Sequence, residues 1–227
     1  MKSKLVVLFV ALSIASLTND SNADIVSMTI DQAQSFVDVS IADSADDRSA
    51  TSGTLTLDIT STTPPSGSGQ ITSMNVVLDD ALAYSLVSGL VTVTTTAGDV
   101  EITLISAGPP GTISAGQFDQ IGNTFGTSGD VDVDDPNNVV GGSQTVDLST
   151  IPTAPSNFMD VTLSQIGNVL TLEMDYTFTQ DLELDGNSTP LVANGTLVAT
   201  GIVAIPEPGS ALFAGVLFAG VALRRRR

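Results

Sequence analysis

The sequence predicts an all-β protein whose body is an antiparallel β-sandwich or jelly roll. Thr, Ser, Val, Ile and Leu dominate the central part of the chain, and apolar residues alternate with polar ones over six to ten residues. A period of two places one set of side chains in a core and the other in water, as in antiparallel sheets. Turn-rich segments separate these runs at the spacing typical of a sandwich. An N-terminal signal helix and a short C-terminal transmembrane helix are predicted to flank the body.

Alternation is clearest in four segments, which are predicted strands: Gly53–Thr60, Leu90–Thr96, Val100–Ile105 and Val169–Phe178. Gly167-Asn168 lies between two alternating runs and predicts a tight hairpin. A second turn is predicted at 185–187, before a strand from Leu191 to Ala204.

Breaks between strands are predicted at 62–69, 108–111 and 122–142, where Gly, Pro, Asn and Asp cluster. Residues 79–87 are predicted to form either a turn or two of helix or a bent strand. No segment has the pattern of an amphipathic helix, and no repeat of fixed period indicates a solenoid. We expect a single domain over 24–205, with a division into two smaller sandwiches near 122–142 as the alternative.

The body is strongly acidic. Of the 25 Asp and Glu residues, only Asp20 and Glu207 lie outside 24–205, and Arg48 is the one cation inside it, so the body carries a net charge near −22. Such a surface repels nucleic acid, because binding phosphate requires cations that replace its counterions. We therefore expect no nucleic-acid partner. Since few ion pairs can offset the repulsion, the fold is predicted to depend on divalent cations, salt or wide spacing of carboxylates.

The composition excludes several kinds of chemistry. The chain has no Cys and no His, so disulfides, thiolate or imidazole metal sites and His-dependent nucleophilic triads are impossible. It also has no Trp and only two Tyr residues, Tyr84 and Tyr176, which leaves few aromatic rings for stacking against sugars. A glycosidase needs only two carboxylates a fixed distance apart, but the aromatic platform on which sugars stack is missing, and we predict that the protein is not an enzyme.

The first 23 residues have the three parts of a secretory signal peptide. Lys2 and Lys4 are followed by an uncharged run from Leu5 to Leu17, and small residues precede a cleavage site after Ala23. The uncharged run is shorter than the roughly 20 residues that span a bilayer, which disfavours a permanent anchor. Export through the Sec machinery is therefore predicted.

The C-terminal segment 206–227 combines three elements. Pro206-Glu207-Pro208 is followed by an apolar run from Gly209 to Leu223, and four arginines, Arg224, Arg225, Arg226 and Arg227, end the chain. Proline keeps the tripeptide out of a helix and accessible. As a helix the apolar run is about 22 Å long, short for a hydrocarbon core of about 30 Å. The arginines are predicted to stay in the cytoplasm, which puts the tripeptide at the outer face of the inner membrane.

This arrangement closely resembles the PEP-CTERM sorting signal of Gram-negative bacteria. In that family a membrane enzyme called exosortase processes the chain near the Pro-Glu-Pro tripeptide. The resemblance implies transient anchoring in the inner membrane, followed by release or transfer to the cell surface. It covers only the last 22 residues and implies nothing about the fold of the body. A plain single-span anchor is the alternative.

One acidic segment of the body invites a chemical interpretation. Asp130, Asp132 and Asp134 begin a segment, 130–138, that resembles the acidic half of an EF-hand-like calcium loop. Asp135 stands where that loop has Gly, and Gly141 stands where it has a bidentate Glu. The alternative is a short edge strand with Val residues inward and Asp residues outward. A second acidic segment, 181–187, is predicted to be a strand that ends in a turn.

Two functional hypotheses follow. The first is a structural or interaction protein of the cell surface or extracellular matrix, as the resemblance implies for a family associated with exopolysaccharide-producing bacteria. The second is a calcium-dependent or polysaccharide-binding module that uses the same export route. They differ in whether Asp130, Asp132 and Asp134 are required for a response to calcium.

Overall fold

The computed structural model describes residues 24–203, except 43, 45, 63, 152–153, 156–158 and 185–186. These described residues form sixteen strands and two short 3₁₀ turns, at Val87–Gly89 and Leu148–Thr150. The strands are β1 (Asp24–Ile30), β2 (Phe36–Ile41), β3 (Asp47–Thr62), β4 (Pro65–Leu78), β5 (Ala83–Leu86), β6 (Val91–Thr95), β7 (Glu101–Ser106), β8 (Gly111–Ile113), β9 (Gln117–Gln120), β10 (Thr124–Ser128), β11 (Asp130–Asp134), β12 (Gln144–Asp147), β13 (Ala154–Pro155), β14 (Met159–Ile166), β15 (Val169–Leu184) and β16 (Asn187–Ile202).

The strands form two antiparallel sheets, which confirms the all-β prediction. The larger sheet has twelve strands in the order β13-β10-β7-β4-β3-β1-β16-β15-β14-β9, with β2 beside β16 and β3, and β8 beside β4. The smaller sheet has the order β12-β11-β6-β5. Every strand pair described within either sheet is antiparallel.

The larger sheet curves until distant strands face each other. Phe125 on β10 and Phe178 on β15 belong to strands that are far apart in the sheet order, yet their ring centroids are 5.8 Å apart. Tyr176 also contacts Phe125, at 6.4 Å. The buried hydrophobic side chains form one cluster that includes residues from both sheets. The alternating residues of each strand thus supply a shared core, as the period of two predicts.

The hairpin predicted at Gly167-Asn168 is confirmed. Ile166 pairs with Val169, which leaves two residues in the turn, and Gly167 has a φ of 63°. A positive φ at the first of two central positions fits a type II′ turn, which suits the twist of the flanking strands. The next hairpin joins β15 to β16, two strands of 16 residues each that pair along their whole length. The second predicted turn, 185–187, falls on their connection: residues 185–186 lie outside the described residues, and Asn187 is the first residue of β16.

Two of the predicted breaks were too wide. Strand β4 begins at Pro65, inside the predicted break 62–69, and β10 and β11 lie inside 122–142. The glycines of β4 are sites of close packing: a Cβ on Gly69 would lie 2.9 Å from the ring of Phe118. Gly129, with a φ of 99°, separates β10 from β11 and marks a kink between two strands.

The remaining ambiguous segments are resolved as follows. Within 79–87, Ala83–Leu86 forms strand β5, as the strand alternative predicts, and a 3₁₀ turn begins at Val87. The break at 108–111 is confirmed as far as Pro110, after which β8 begins.

In the part of the chain described, no helix has the length and apolar character needed to cross a bilayer. The predicted signal helix (1–23) and C-terminal helix lie outside the described residues.

Candidate functional site

The acidic segment singled out from the sequence is a strand in the middle of the smaller sheet. Strand β11 pairs with β6 on one side and with β12 on the other. Val131 and Val133 point inward and are 2% and 3% exposed, while Asp130, Asp132 and Asp134 point to the solvent. The strand alternative therefore describes this segment, except that β11 does not lie at a sheet edge.

The outer face of this sheet is lined by hydroxyl and carboxylate groups. Asp132 lies between Thr94 on β6 and Thr145 on β12 and accepts a hydrogen bond of 2.7 Å from the Thr145 hydroxyl. Asp134 lies opposite Thr92 and accepts one of 3.1 Å from the Ser143 hydroxyl. Both carboxylates keep further lone pairs for an external donor or cation.

A polar groove of about 530 Å³ runs over this face. Its lining residues are Thr92, Thr94, Asp132, Val133, Asp134, Ser143, Gln144 and Thr145. The side chains offer hydroxyl donors and acceptors, two carboxylates and one amide, which is the chemistry that hydrogen-bonds polyols. We call this surface the Thr-Asp groove.

The three aspartates do not converge as they would in a calcium loop. Alternate residues of a strand lie roughly 6.6 Å apart, so the row formed by Asp130, Asp132 and Asp134 is spread over about 13 Å. Among the described residues, no group of three or more Asp and Glu side chains is placed to hold one metal ion. An ion at this face would contact one or two carboxylates and complete its shell with hydroxyls, amides or water.

Asp135 has a structural role in the loop that follows β11. Its carboxylate accepts hydrogen bonds from the backbone amides of Val139 (2.8 Å), Val140 (2.7 Å) and Gly142 (3.0 Å). Burial raises the pKa of this carboxyl, but these amides and that of Asn137 outweigh burial and hold the pKa below its ordinary value. The Asp that replaces the expected loop Gly is therefore occupied with closing the 135–143 loop.

Asp147 faces Asp130 across the β11–β12 pair, and its side chain caps the 3₁₀ turn that follows it. It accepts hydrogen bonds from the Ser149 hydroxyl (2.6 Å) and the Ser149 amide (2.9 Å). These two bonds, the hydroxyl first, lower the pKa of the Asp147 carboxyl. Ser149 thus hydrogen-bonds one of the two carboxylates, Asp130 and Asp147, that face each other on adjacent strands.

A second acidic row was not identified from the sequence. Asp119, Asp160 and Asp175 lie directly opposite one another on β9, β14 and β15, and all three are exposed. Thr196 donates a 2.7 Å hydrogen bond to Asp175 at one end of the row. Part of the row was foreseeable, because a two-residue turn at Gly167-Asn168 fixes Asp160 opposite Asp175. Asp119 was not, because β9 reaches β14 through a non-local pairing.

The sorting residues predicted from the sequence lie outside the described residues. They are Ala23, the tripeptide Pro206, Glu207 and Pro208, and the cluster Arg224, Arg225, Arg226 and Arg227. The structure does describe where the body meets these segments. Strand β1 begins at Asp24 and pairs with the C-terminal residues of β16, where Met28 is opposite Gly201. The two ends of the body thus leave from one end of the larger sheet.

Comparison with known proteins does not assign the chain to a family. No protein-family model matches it, and no curated protein matches it either.

Proposed function

We propose that this chain is an exported structural or interaction protein of the cell surface or extracellular matrix, sorted and processed by an exosortase-like enzyme. The observation that carries the proposal is the order of elements in 206–227, a Pro-Glu-Pro tripeptide, an apolar run and four terminal arginines. The signal peptide at 1–23 delivers the chain to the Sec machinery, and the tail holds it transiently in the inner membrane.

The arrangement of the body supports this role. Asp24 and Val203, where the described body begins and ends, lie at the same end of the larger sheet, so a membrane-held tail leaves the opposite end free to face outward. We propose that the two antiparallel sheets pack as a sandwich of the jelly-roll or related type. Such a body presents a stable surface for interaction, and its composition lacks the His and Cys residues on which most nucleophilic catalysis depends.

The acidic surface supports an extracellular structural role. A net charge near −22 keeps copies of the body apart and hydrated, and it disfavours adsorption to anionic polymers in the absence of a bridging cation. Exopolysaccharide is the partner class that the tail's resemblance indicates. A neutral polymer, or an acidic one bridged by calcium, is compatible with this surface.

The test is the intact mass of the mature protein purified from its native host. Processing predicts that the mature form lacks Arg227 and the rest of the basic cluster. Replacing the tripeptide by Pro206→Ala, Glu207→Gln and Pro208→Ala is expected to leave the full tail on the chain and the protein in the inner membrane. Pro110→Ala, an exposed loop proline of the body, is the matched control and is expected to be processed normally. A mature surface form that retains Arg227 would refute the proposal.

The second candidate is a calcium-dependent or polysaccharide-binding module, and the Thr-Asp groove favours it. Calcium takes six to eight oxygen ligands, and the groove offers carboxylates and hydroxyls side by side. The expected result is saturable heat in a calcium titration, with a higher melting temperature in millimolar calcium than in EDTA. The triple change Asp130→Asn, Asp132→Asn and Asp134→Asn should abolish both, whereas Asp58→Asn on another strand should not. If calcium gives no heat and no shift of the melting temperature, the second candidate is refuted and only the first proposal stands.

A further inference from the structure

The outer face of the larger sheet carries an apolar patch at the end where the chain enters and leaves. Ile166, Val169 and Ile202 lie side by side on three neighbouring strands, because Ile166 pairs with Val169 and Val169 pairs with Ile202. Ile25 lies on β1, the other neighbour of β16, at a position diagonal to Ile202 when the register is continued. We call these four residues the isoleucine patch.

The side chains of the isoleucine patch are unusually exposed to solvent for apolar residues. Ile166, Ile25 and Ile202 are 85%, 73% and 68% exposed, the three highest values among the large hydrophobic side chains that the structure describes. The adjacent inward residues Leu170 and Val203 are 0% and 4% exposed, so the strands are well packed on their other face. Contiguous exposed apolar residues on a well-packed sheet mark a surface that another body covers.

The same end of the body is almost free of charge. Residues 59–78, 102–118, 161–172 and 186–206 contain no charged side chain. Three of these stretches contribute hairpin turns around the patch: 62–65, 114–117 and 166–169. Two hydrogen bonds place them there, because Thr62 donates to Asp24 at the start of β1 and Leu163 of β14 donates its amide to Gly116.

Most carboxylates lie away from the patch. Within the described residues, Asp24 and Asp58 are the acids nearest to it, the first hydrogen-bonded to Thr62 and the second opposite Ile25. At the far end of the β3–β4 hairpin, by contrast, Asp80 accepts a backbone hydrogen bond from Ala50 of β3, and Asp47 accepts one from Ala83 of β5. The charge of the body is therefore polarised along the strands.

We propose that the isoleucine patch rests on the lipid surface of the membrane while the C-terminal tail is held there. The inference builds on the proposed function, because it requires that the run from Gly209 to Leu223 enters the bilayer. From Val203 to Gly209 there are six steps along the backbone, at most about 21 Å when fully extended. The tail thus keeps the patch within reach of the headgroups, whose layer on each side is several ångströms thick.

Charge selects the orientation. Anionic headgroups repel a body of net charge near −22, and the end that carries few charges is the one that approaches with the least repulsion. Isoleucine and valine side chains then gain apolar contact in the interfacial layer. Docking in this way holds the Pro206–Pro208 tripeptide at the membrane surface and directs the Thr-Asp groove away from it.

Single-cysteine labelling tests the proposal, because the chain has no native Cys. Asn168→Cys puts an environment-sensitive fluorophore on the exposed turn beside the patch, and Ser85→Cys puts it on the exposed side of β5 as a control. The chain with its tail intact is reconstituted into vesicles of phosphatidylethanolamine and phosphatidylglycerol, and flotation reports attachment. Quenching by lipids carrying a nitroxide on the acyl chain is then compared at the two sites.

The expected result is at least twofold stronger quenching at residue 168 than at residue 85. Replacing Ile25, Ile166 and Ile202 with Asn should remove that difference while the chain still floats. A floating chain with equal quenching at both sites overturns the docking proposal but not the anchoring by the tail. A blue-shifted label at 168 without lipid quenching also overturns it, since a second copy or another protein then covers the patch. A chain that does not float refutes membrane anchoring and the docking proposal with it.

Discussion

Asp160 lies directly opposite Asp175 in the β14–β15 pair, and Asp119 lies opposite Asp160 on its other side. Like charges that face each other on adjacent strands are destabilising, because their Cβ atoms are only about 5 Å apart. Asp160→Asn removes the central charge of this row. We expect it to raise the free energy of unfolding by roughly 0.5 kcal/mol at low ionic strength.

The effect of Asp160→Asn should fade in salt, since the Debye length falls to about 3 Å at 1 M. Urea unfolding at 10 mM and 1 M sodium chloride measures both quantities. Asp58→Asn is the matched control, because Asp58 faces Ile25 and Gln70 rather than another acid. An equal gain from both substitutions would mean that general net charge, and not the cross-strand row, sets the repulsion.

The row of Asp119, Asp160 and Asp175 is predictable from the sequence only where a local hairpin, and not a long-range contact, pairs the strands. The alternation and the Gly167-Asn168 turn are local signals, and together they fix Asp160 opposite Asp175 without any knowledge of the fold. The position of Asp119 depends on β9 reaching β14 across 38 residues of chain that separate Gln120 from Met159, which no local pattern encodes. The Thr-Asp groove is similar, because Thr94 and Thr145 meet Asp132 only through long-range pairing.

Glycine was the main source of error in the predicted strand boundaries. Gly67 and Gly69 read as turn residues, but both lie in β4, where Thr60 and the ring of Phe118 occupy the space of their missing side chains. Glycine serves close approach as well as turns, and a sequence alone does not distinguish the two uses. The opposite case is Gly167, whose flanking alternating runs identify a turn.

Among the charged residues of the body, Arg48 is predicted to be the one whose substitution lowers the stability of the fold most. It pairs with Asp38 through two hydrogen bonds of 2.7 Å, and its guanidinium lies 3.9 Å from the ring centroid of Phe36. Arg48→Gln should lower the melting temperature, and Arg48→Lys should do so by a smaller amount, because lysine keeps the charge but not the two-point geometry. Thermal unfolding at pH 7 followed by circular dichroism measures this order.

The contribution of this pair has a defined dependence on pH. The hydrogen bond from Arg48 lowers the pKa of Asp38 in the folded protein, so the pair stabilises the fold above the ordinary Asp pKa of about 3.9. That stabilisation is lost as the pH falls through the lowered pKa. The difference in melting temperature between the native chain and Arg48→Gln should therefore shrink below pH 4. A difference that stays constant down to pH 2 would show that the contact with Phe36, and not the ion pair, carries the effect.

Asp135→Asn is expected to loosen the 135–143 loop without unfolding the body. An amide has one acceptor oxygen, whereas the carboxylate accepts from Val139, Val140 and Gly142 together. Hydrogen exchange of these three amides should accelerate. Asp134→Asn is the control, because Asp134 is exposed and accepts a bond only from the Ser143 hydroxyl among the described contacts.

Acid should reproduce the effect of that substitution. The pKa of Asp135 is lowered in the folded state, so the loop is stabilised above the ordinary Asp pKa and is released as the pH falls through the lowered value. Exchange of the same amides, corrected for intrinsic rates, is expected to rise in the native chain below about pH 4. Unchanged exchange in Asp135→Asn at pH 7 would rule out this carboxylate as the anchor of the loop.

Gln120 is predicted to be the polar residue whose loss costs the fold most. Its buried side chain accepts a 2.7 Å hydrogen bond from the amide of Ile71 and donates a 3.0 Å bond to the carbonyl of the same residue. It also donates to Asn123, at 2.8 Å. A side chain thus takes the place of a neighbouring strand where β9 passes β4, and it satisfies backbone groups that water does not reach.

Gln120→Leu keeps the approximate volume but leaves the amide and carbonyl of Ile71 without this partner. Each buried polar group left unsatisfied costs about 1 to 3 kcal/mol, so we expect the free energy of unfolding to fall by roughly 3 kcal/mol. Gln117→Leu, at an exposed position three residues before Gln120 on β9, should change it by less than about 0.5 kcal/mol. Urea unfolding of both variants decides the matter: equal and small losses would mean that the β4–β9 contact is held by the packing of Phe118 rather than by the Gln120 side chain.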